Sequence, residues 1–166
     1  REAGTGAASY SYKLKTPGRI NAGIAYQLGS AAILSADYEF VDYSTATLKE
    51  GVDGYTFDYE NSDIKSELKG ASNLRLGAEY HLGSMYFRGG YSYYGSAFRT
   101  GTLNEDKHYS GYSLGLGYRQ KPFYIDFAFS GIMSKEQYMM YSDSRLNPAE
   151  IKSNRNTFSA TIGLKF

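Results

Sequence analysis

The chain has 166 residues, 18 Lys and Arg against 17 Asp and Glu, and a net charge of +1 with the two signs interspersed, which argues against a nucleic-acid surface. That length suits one domain with one closed core. Mean hydropathy is −0.48 and no run of about 18 apolar residues occurs, which excludes a transmembrane helix but not a membrane barrel, whose lumen-facing half keeps the average polar.

The opening Arg1-Glu-Ala-Gly-Thr-Gly6 is neither a signal peptide nor an initiator Met, so a processed chain or a fragment is expected. Ala8 to Leu14 reads as a short strand carrying Ala8, Tyr10, Tyr12 and Leu14 on one face, and Lys15-Thr-Pro-Gly18 reads as a turn. From Arg19 to Leu28, Ile20, Ala22, Ile24, Tyr26 and Leu28 alternate with Asn21, Gly23, Ala25 and Gln27, a strand of membrane length. The next strand, Ala31 to Tyr43, sets Leu34, Ala36, Tyr38 and Phe40 against Ser35, Asp37 and Glu39. A two-residue turn between these strands would place Asp37 and Glu39 on the apolar face at a cost of about 2–4 kcal/mol for a midplane charge, rather less for acids. A three-residue loop, Gly29–Ala31, avoids it.

Residues 44–70 read as a long polar loop whose alternating Tyr55-Thr-Phe-Asp-Tyr59 suggests a hairpin rising from it. Leu74 to Leu82 and Met85 to Gly95 form the next hairpin through Gly83-Ser84. A two-residue register pairs Leu82 with Met85, Tyr80 with Phe87 and Leu76 with Tyr91, and on the other face brings Glu79 to Arg88 and His81 to Tyr86. Residues 96–108 form a second long loop. Tyr109 to Arg119 and Phe123 to Ser134 then pair through 120–122, with Tyr118 opposite Phe123 and with Gly115 and Gly117 making room for Tyr124 and Asp126. Residues 135–155 read as a third long loop with an apolar patch at Tyr138-Met-Met-Tyr141.

The last stretch puts Phe158, Ala160, Ile162, Leu164 and Phe166 on one face and Thr157, Ser159, Thr161, Gly163 and Lys165 on the other. An amphipathic strand ending on Phe166 resembles the C-terminal assembly signal of bacterial outer-membrane barrels, which implies the barrel-assembly machinery as a partner. Short turns alternate with long loops, as in such barrels, and 18 Tyr suit interfacial girdles, with Tyr26, Tyr80, Tyr118, Phe123 and Phe166 at one rim. The expected fold is therefore all-β, an antiparallel up-and-down transmembrane β-barrel of about eight strands in residues 1–166, part of a larger barrel in the outer membrane. A soluble up-and-down barrel would instead hold its apolar face inside.

Few residues suggest chemistry. Gly111-Tyr-Ser-Leu-Gly115 has the spacing of a nucleophile elbow, but that motif needs a strand, a sharp turn and a helix, and this one lies within an alternating strand. His81 is expected to hydrogen-bond in the lumen and His108 to be solvated; no metal-ligand spacing, cofactor motif or enzymatic constellation stands out. The inward charges Asp37, Glu39, Arg75, Glu79, Arg88, Arg119, Asp126 and Lys165 read either as a paired network filling a narrow barrel or as the polar wall of a wider conduit.

Four stretches resemble the outer-membrane long-chain fatty-acid and hydrocarbon transporters: Leu14-Lys-Thr-Pro-Gly-Arg-Ile-Asn-Ala-Gly-Ile-Ala-Tyr-Gln-Leu-Gly29, Leu34 to Ser44, Leu74-Arg-Leu-Gly-Ala-Glu-Tyr80 and Phe87-Arg-Gly-Gly-Tyr-Ser-Tyr93. The resemblance spans about residues 14–134 and the C-terminal strand. It implies a monomeric barrel that takes up hydrophobic molecules from outside and releases them through a lateral opening in the wall, of which this chain is the C-terminal part without the N-terminal hatch. Tyr55, Phe57, Tyr59, Tyr138, Met139, Met140 and Tyr141 are candidates for an apolar landing surface on that path. The alternative is a small structural or adhesive outer-membrane barrel acting through its loops.

Overall fold

The computed structural model describes residues 11–49, 54–140 and 147–164. In chain order these form β1 (Lys13–Lys15), β2 (Arg19–Leu28), β3 (Ala32–Asp42), β4 (Thr47–Lys49), α1 (Asp58–Glu67), β5 (Gly70–Leu82), β6 (Met85–Tyr94), β7 (Tyr109–Gln120), β8 (Phe123–Tyr138) and β9 (Ala149–Leu164), with a 3-10 turn at Tyr43–Thr45. Strands β2, β3, β5, β6, β7, β8 and β9 make one seven-stranded antiparallel sheet in that order. No helix among the described residues is long and apolar enough to cross a membrane.

Two of the three hairpin registers agree with the sequence reading. Leu28 pairs with Ala32 across the loop 29–31, and Leu82 pairs with Met85, which brings Tyr80 to Phe87 and Glu79 to Arg88. Gly29 and Gly83 open these turns at φ +59 and +60, where a side chain would be strained. The third register differs. Gln120 pairs with Phe123 around Lys121-Pro122, so Tyr118 meets Ile125 rather than Phe123, and Asp126 lies opposite Gly117 while Tyr124 lies opposite Arg119. A slip of two residues keeps every side chain on its face, so hydrophobicity alone does not oppose it.

The sheet separates its residues into two faces. One lateral row of the apolar face runs Tyr26, Leu34, Ala78, Gly89, Leu114, Phe129 and Phe158 across all seven strands. A row of the other face runs Ala25, Ser35, Gly77, Gly90, Ser113, Ser130 and Thr157. The exposure is inverted relative to a soluble sheet. On the interior strands Leu114 is 63% and Phe127 57% exposed, whereas the Glu39 side chain on the polar face is only 13% exposed.

The edges β2 and β9 are not joined to each other, so the described strands do not close the expected barrel. The proposed eighth strand is also different: residues up to 10 lie outside the described range, and β1 starts at Lys13 and pairs with β4, Leu14 opposite Leu48, as a separate two-stranded ladder. That ladder continues the β2–β3 hairpin past Thr16-Pro17-Gly18, where Pro17 lacks an N–H and the Asp42 N–H bonds the Gly18 carbonyl instead at 3.3 Å.

Residues 44–70 are not a hairpin-bearing loop, for they hold β4 and α1. Asp42 caps the 3-10 turn, accepting from the Ser44 N–H at 3.2 Å and the Ser44 hydroxyl at 2.6 Å. The Asn61 amide docks α1 on β4, accepting from the Leu48 N–H at 2.8 Å and donating to its carbonyl at 3.0 Å. Arg99 closes the other end of the helix by donating Nε to the Lys65 and Leu68 carbonyls at 3.1 and 2.8 Å, which satisfies groups that the last helical turn leaves unpaired. The third long loop is shorter than expected because β8 runs to Tyr138 and β9 starts at Ala149. Asn104, from the connection between β6 and β7, ties down the end of β8 through the Gln137 N–H at 2.7 Å and carbonyl at 3.1 Å.

Candidate functional site

Two charged clusters occupy the polar face at different heights. Toward the short turns, Arg88 of β6 bonds the Glu79 carboxylate of β5 and, through Nη1 at 2.8 Å, the Asp126 carboxylate of β8. Asp126 lies two strands away from Arg88, and the arginine reaches it by lying over β7. That path exists because β7 carries Gly115 and Gly117 there: a Cβ at Gly115 would stand 3.2 Å from Arg88 Cβ, and one at Gly117 would collide with the Asp126 carboxylate. Arg119 adds a longer contact of 3.8 Å to Asp126. The Tyr86 ring packs against His81 with centroids 4.1 Å apart and lies 4.5 Å from the Arg119 guanidinium carbon. His81 takes Glu79, at 2.5 Å, as its hydrogen-bond partner.

Toward the long loops, Glu39 of β3 accepts from the Asn73 amide at 2.8 Å and has Arg19 at 3.7 Å and Arg75 at 4.0 Å. Asn73 is among the few buried polar residues described. Asp37 points its carboxylate over Gly23, where a Cβ would stand 2.5 Å from Oδ1. Between the two clusters lies the row of Ala, Ser, Gly and Thr given above, so the charged groups are separated by a band without large side chains.

The sheet therefore brings Asp37, Glu39 and Arg75 together at one height and Glu79, Arg88, Arg119 and Asp126 at another; Lys165 lies outside the described residues. Arg19 and Asn73 belong to the first cluster, and their signal was available in the alternation, since both share a face with Asn21 and Arg75. Ser113 sits mid-strand between Gly90 and Ser130, whereas His81 lies on β5 opposite Tyr86. Among the described residues no group of three His, Cys, Asp or Glu is placed to hold a metal ion.

The apolar loop segments lie at two separate places along the long-loop edge of the sheet. Phe57, in the left-handed conformation at φ 55, is buried and packs edge-on to Tyr55 at 4.9 Å and Tyr12 at 6.2 Å, while Tyr59 on α1 is exposed. Tyr138 ends β8 and Met139 and Met140 follow it, all three exposed, and Tyr141 lies outside the described residues. Strands β6 and β7 separate the two segments in the sheet. Comparison with protein-family models, with characterised proteins and with solved structures gives no match for the chain.

Proposed function

We propose that this chain forms part of the wall of a monomeric β-barrel in a bacterial outer membrane, and that the barrel takes up hydrophobic small molecules such as long-chain fatty acids or aromatic hydrocarbons. The observation that carries this reading is the inverted sheet: its apolar face is bare and its charges are paired on the more buried face. In water, a bare apolar surface spanning seven strands would be an aggregation hazard; against acyl chains it is at its lowest free energy. Its height fits as well. On β8 the apolar face runs from Phe123 to Met133, about 34 Å along the strand and about 25 Å once tilted as barrel strands are.

Transport of an apolar compound rests on the resemblance described above, supported by the band of small residues on the polar face, which leaves that height of the wall open to a passing molecule. The test is uptake of labelled oleate by cells expressing the full-length gene, alongside Met139→Ser/Met140→Ser. A rate above that of cells lacking the gene is expected. No uptake of any apolar compound would overturn the transport reading; uptake unchanged in the double variant would remove that loop from the path. A second reading, a structural or adhesive barrel, is favoured by the ordered rim, where Asn61 and Arg99 fix α1 in place.

A further inference from the structure

Beyond the apolar band, β8 and β9 continue as a paired extension in which Lys135 lies directly opposite Lys152. Both are on the apolar face, one step above Met133 and Asn154. Like charges in direct cross-strand opposition are destabilising, and a third cation, Lys107, lines the same depression of about 430 Å³ with His108, Ser110 and Met133. Two carboxylates stand nearby: Asp106, which also lines it, and Glu150, whose Oε1 is 3.0 Å from Lys152 Nζ. Hydrogen bonding from Lys152 holds the Glu150 carboxyl below its usual range, with Lys107 and Lys135 adding to the effect. Lys107 and Lys135 have no ion pair among the described residues.

Directly below on the same three strands is an open groove of about 600 Å³ lined by Leu114, Leu116, Phe127, Phe129, Phe158 and Ala160. Phe129 is six residues from Lys135, about 20 Å along the strand and within the reach of an extended acyl chain. The cationic depression and the groove thus share one face, one above the other.

We infer that β7, β8 and β9 form an outward-facing site for an acylated lipid with a phosphate head, the phosphate held by Lys107, Lys135 and Lys152 and a chain lying in the groove over Phe129. A phosphate monoester, with about −1.5 to −2 charge at neutral pH, matches the two lysines without an ion pair, Lys107 and Lys135, better than the single charge of a carboxylate does, and Lys152 adds to it from its pair with Glu150. The groove opens sideways on the apolar face, so its occupant arrives from the surrounding leaflet and not through the polar face. The inference rests on the membrane reading above.

The test uses the full chain in phosphatidylcholine vesicles with and without added phosphatidic acid, reading retained lipid by native mass spectrometry and insertion by protection of the strands from protease. The wild-type protein is expected to retain phosphatidic acid, and Lys135→Gln/Lys152→Gln to retain at least about tenfold less, since each lost charged hydrogen bond is worth about that factor. Lys135→Arg/Lys152→Arg should restore retention. Equal retention by wild type and the Gln variant, with both inserted, overturns the lipid site and leaves the membrane reading standing. Full competition by inorganic phosphate overturns the acyl-chain assignment. Failure of the wild-type chain to insert overturns both.

Discussion

Leu114 and Ser113 are consecutive residues at one depth on opposite faces of β7, and replacing each with arginine separates the effect of the face from that of the charge. Leu114 is 63% exposed and pairs with Gly89 and Phe129. Phe129 stands six positions above Phe123 and four below Met133 on β8, which puts Leu114 near the middle of the apolar band. An arginine facing lipid there costs about 2–4 kcal/mol. Ser113 faces Gly90 and Ser130 within the row of small residues, so Ser113→Arg finds space and water and should cost about 0.5 kcal/mol, as an ordinary surface change does. The difference is roughly ten- to 300-fold in the folded-to-unfolded ratio. Urea titration in vesicles, followed by the gel mobility of the folded form because the chain has no Trp, measures it. Equal loss in the two variants, or a larger loss for Ser113→Arg, would refute the assignment of faces.

Gly117→Val should push Asp126 off Arg88 and cost about 1–3 kcal/mol, the worth of a charged hydrogen bond. In an Asp126→Ala background the same change should cost much less, and additive losses in a urea double-mutant cycle would show that Gly117 matters for another reason. Asn61→Ala removes both bonds that hold α1 to Leu48, about 1–2 kcal/mol; faster proteolysis within residues 54–69 is expected while the unfolding midpoint of the sheet stays put. By NMR the Glu150 carboxyl should titrate below the usual range and return to it in Lys152→Gln. The sign follows from that depression: the Glu150–Lys152 pair contributes above the usual carboxylate pKa and is lost as pH falls through the lowered one.

What the sequence disclosed depended on whether an error would have changed a face. A turn one residue shorter or longer at 29–31 would have put Asp37 and Glu39 among Ile24 and Ala22, so alternation settled the β2–β3 register. At 120–122 a two-residue slip left each side chain on its own face, and nothing apolar opposed the wrong choice. Helix α1 was hidden because Tyr55, Phe57 and Tyr59 alternate like a strand, while the helix itself buries no residue and so carries no apolar stripe. Its fixing groups are Asn61 and Arg99, a side-chain amide and a cap supplied from 31 residues or more away, which no local pattern announces. The ends of β8 and β9 were missed for a related reason: above Met133 both faces turn polar, so the period of two disappears though the ladder continues to Tyr138 opposite Ala149. In the charged site, the Glu79–Arg88 contact was legible as a cross-strand pair, but the reach of Arg88 over β7 to Asp126 emerges only once Gly115 and Gly117 are seen beneath it.

The open edges carry one more consequence. In a meander of seven antiparallel strands the first and the last point the same way, so β2 and β9 are parallel in direction. Bringing them together would create a parallel seam in an otherwise alternating wall. Any all-antiparallel cylinder that includes this sheet therefore inserts an odd number of further strands between β9 and β2, and the circumference counts an even total.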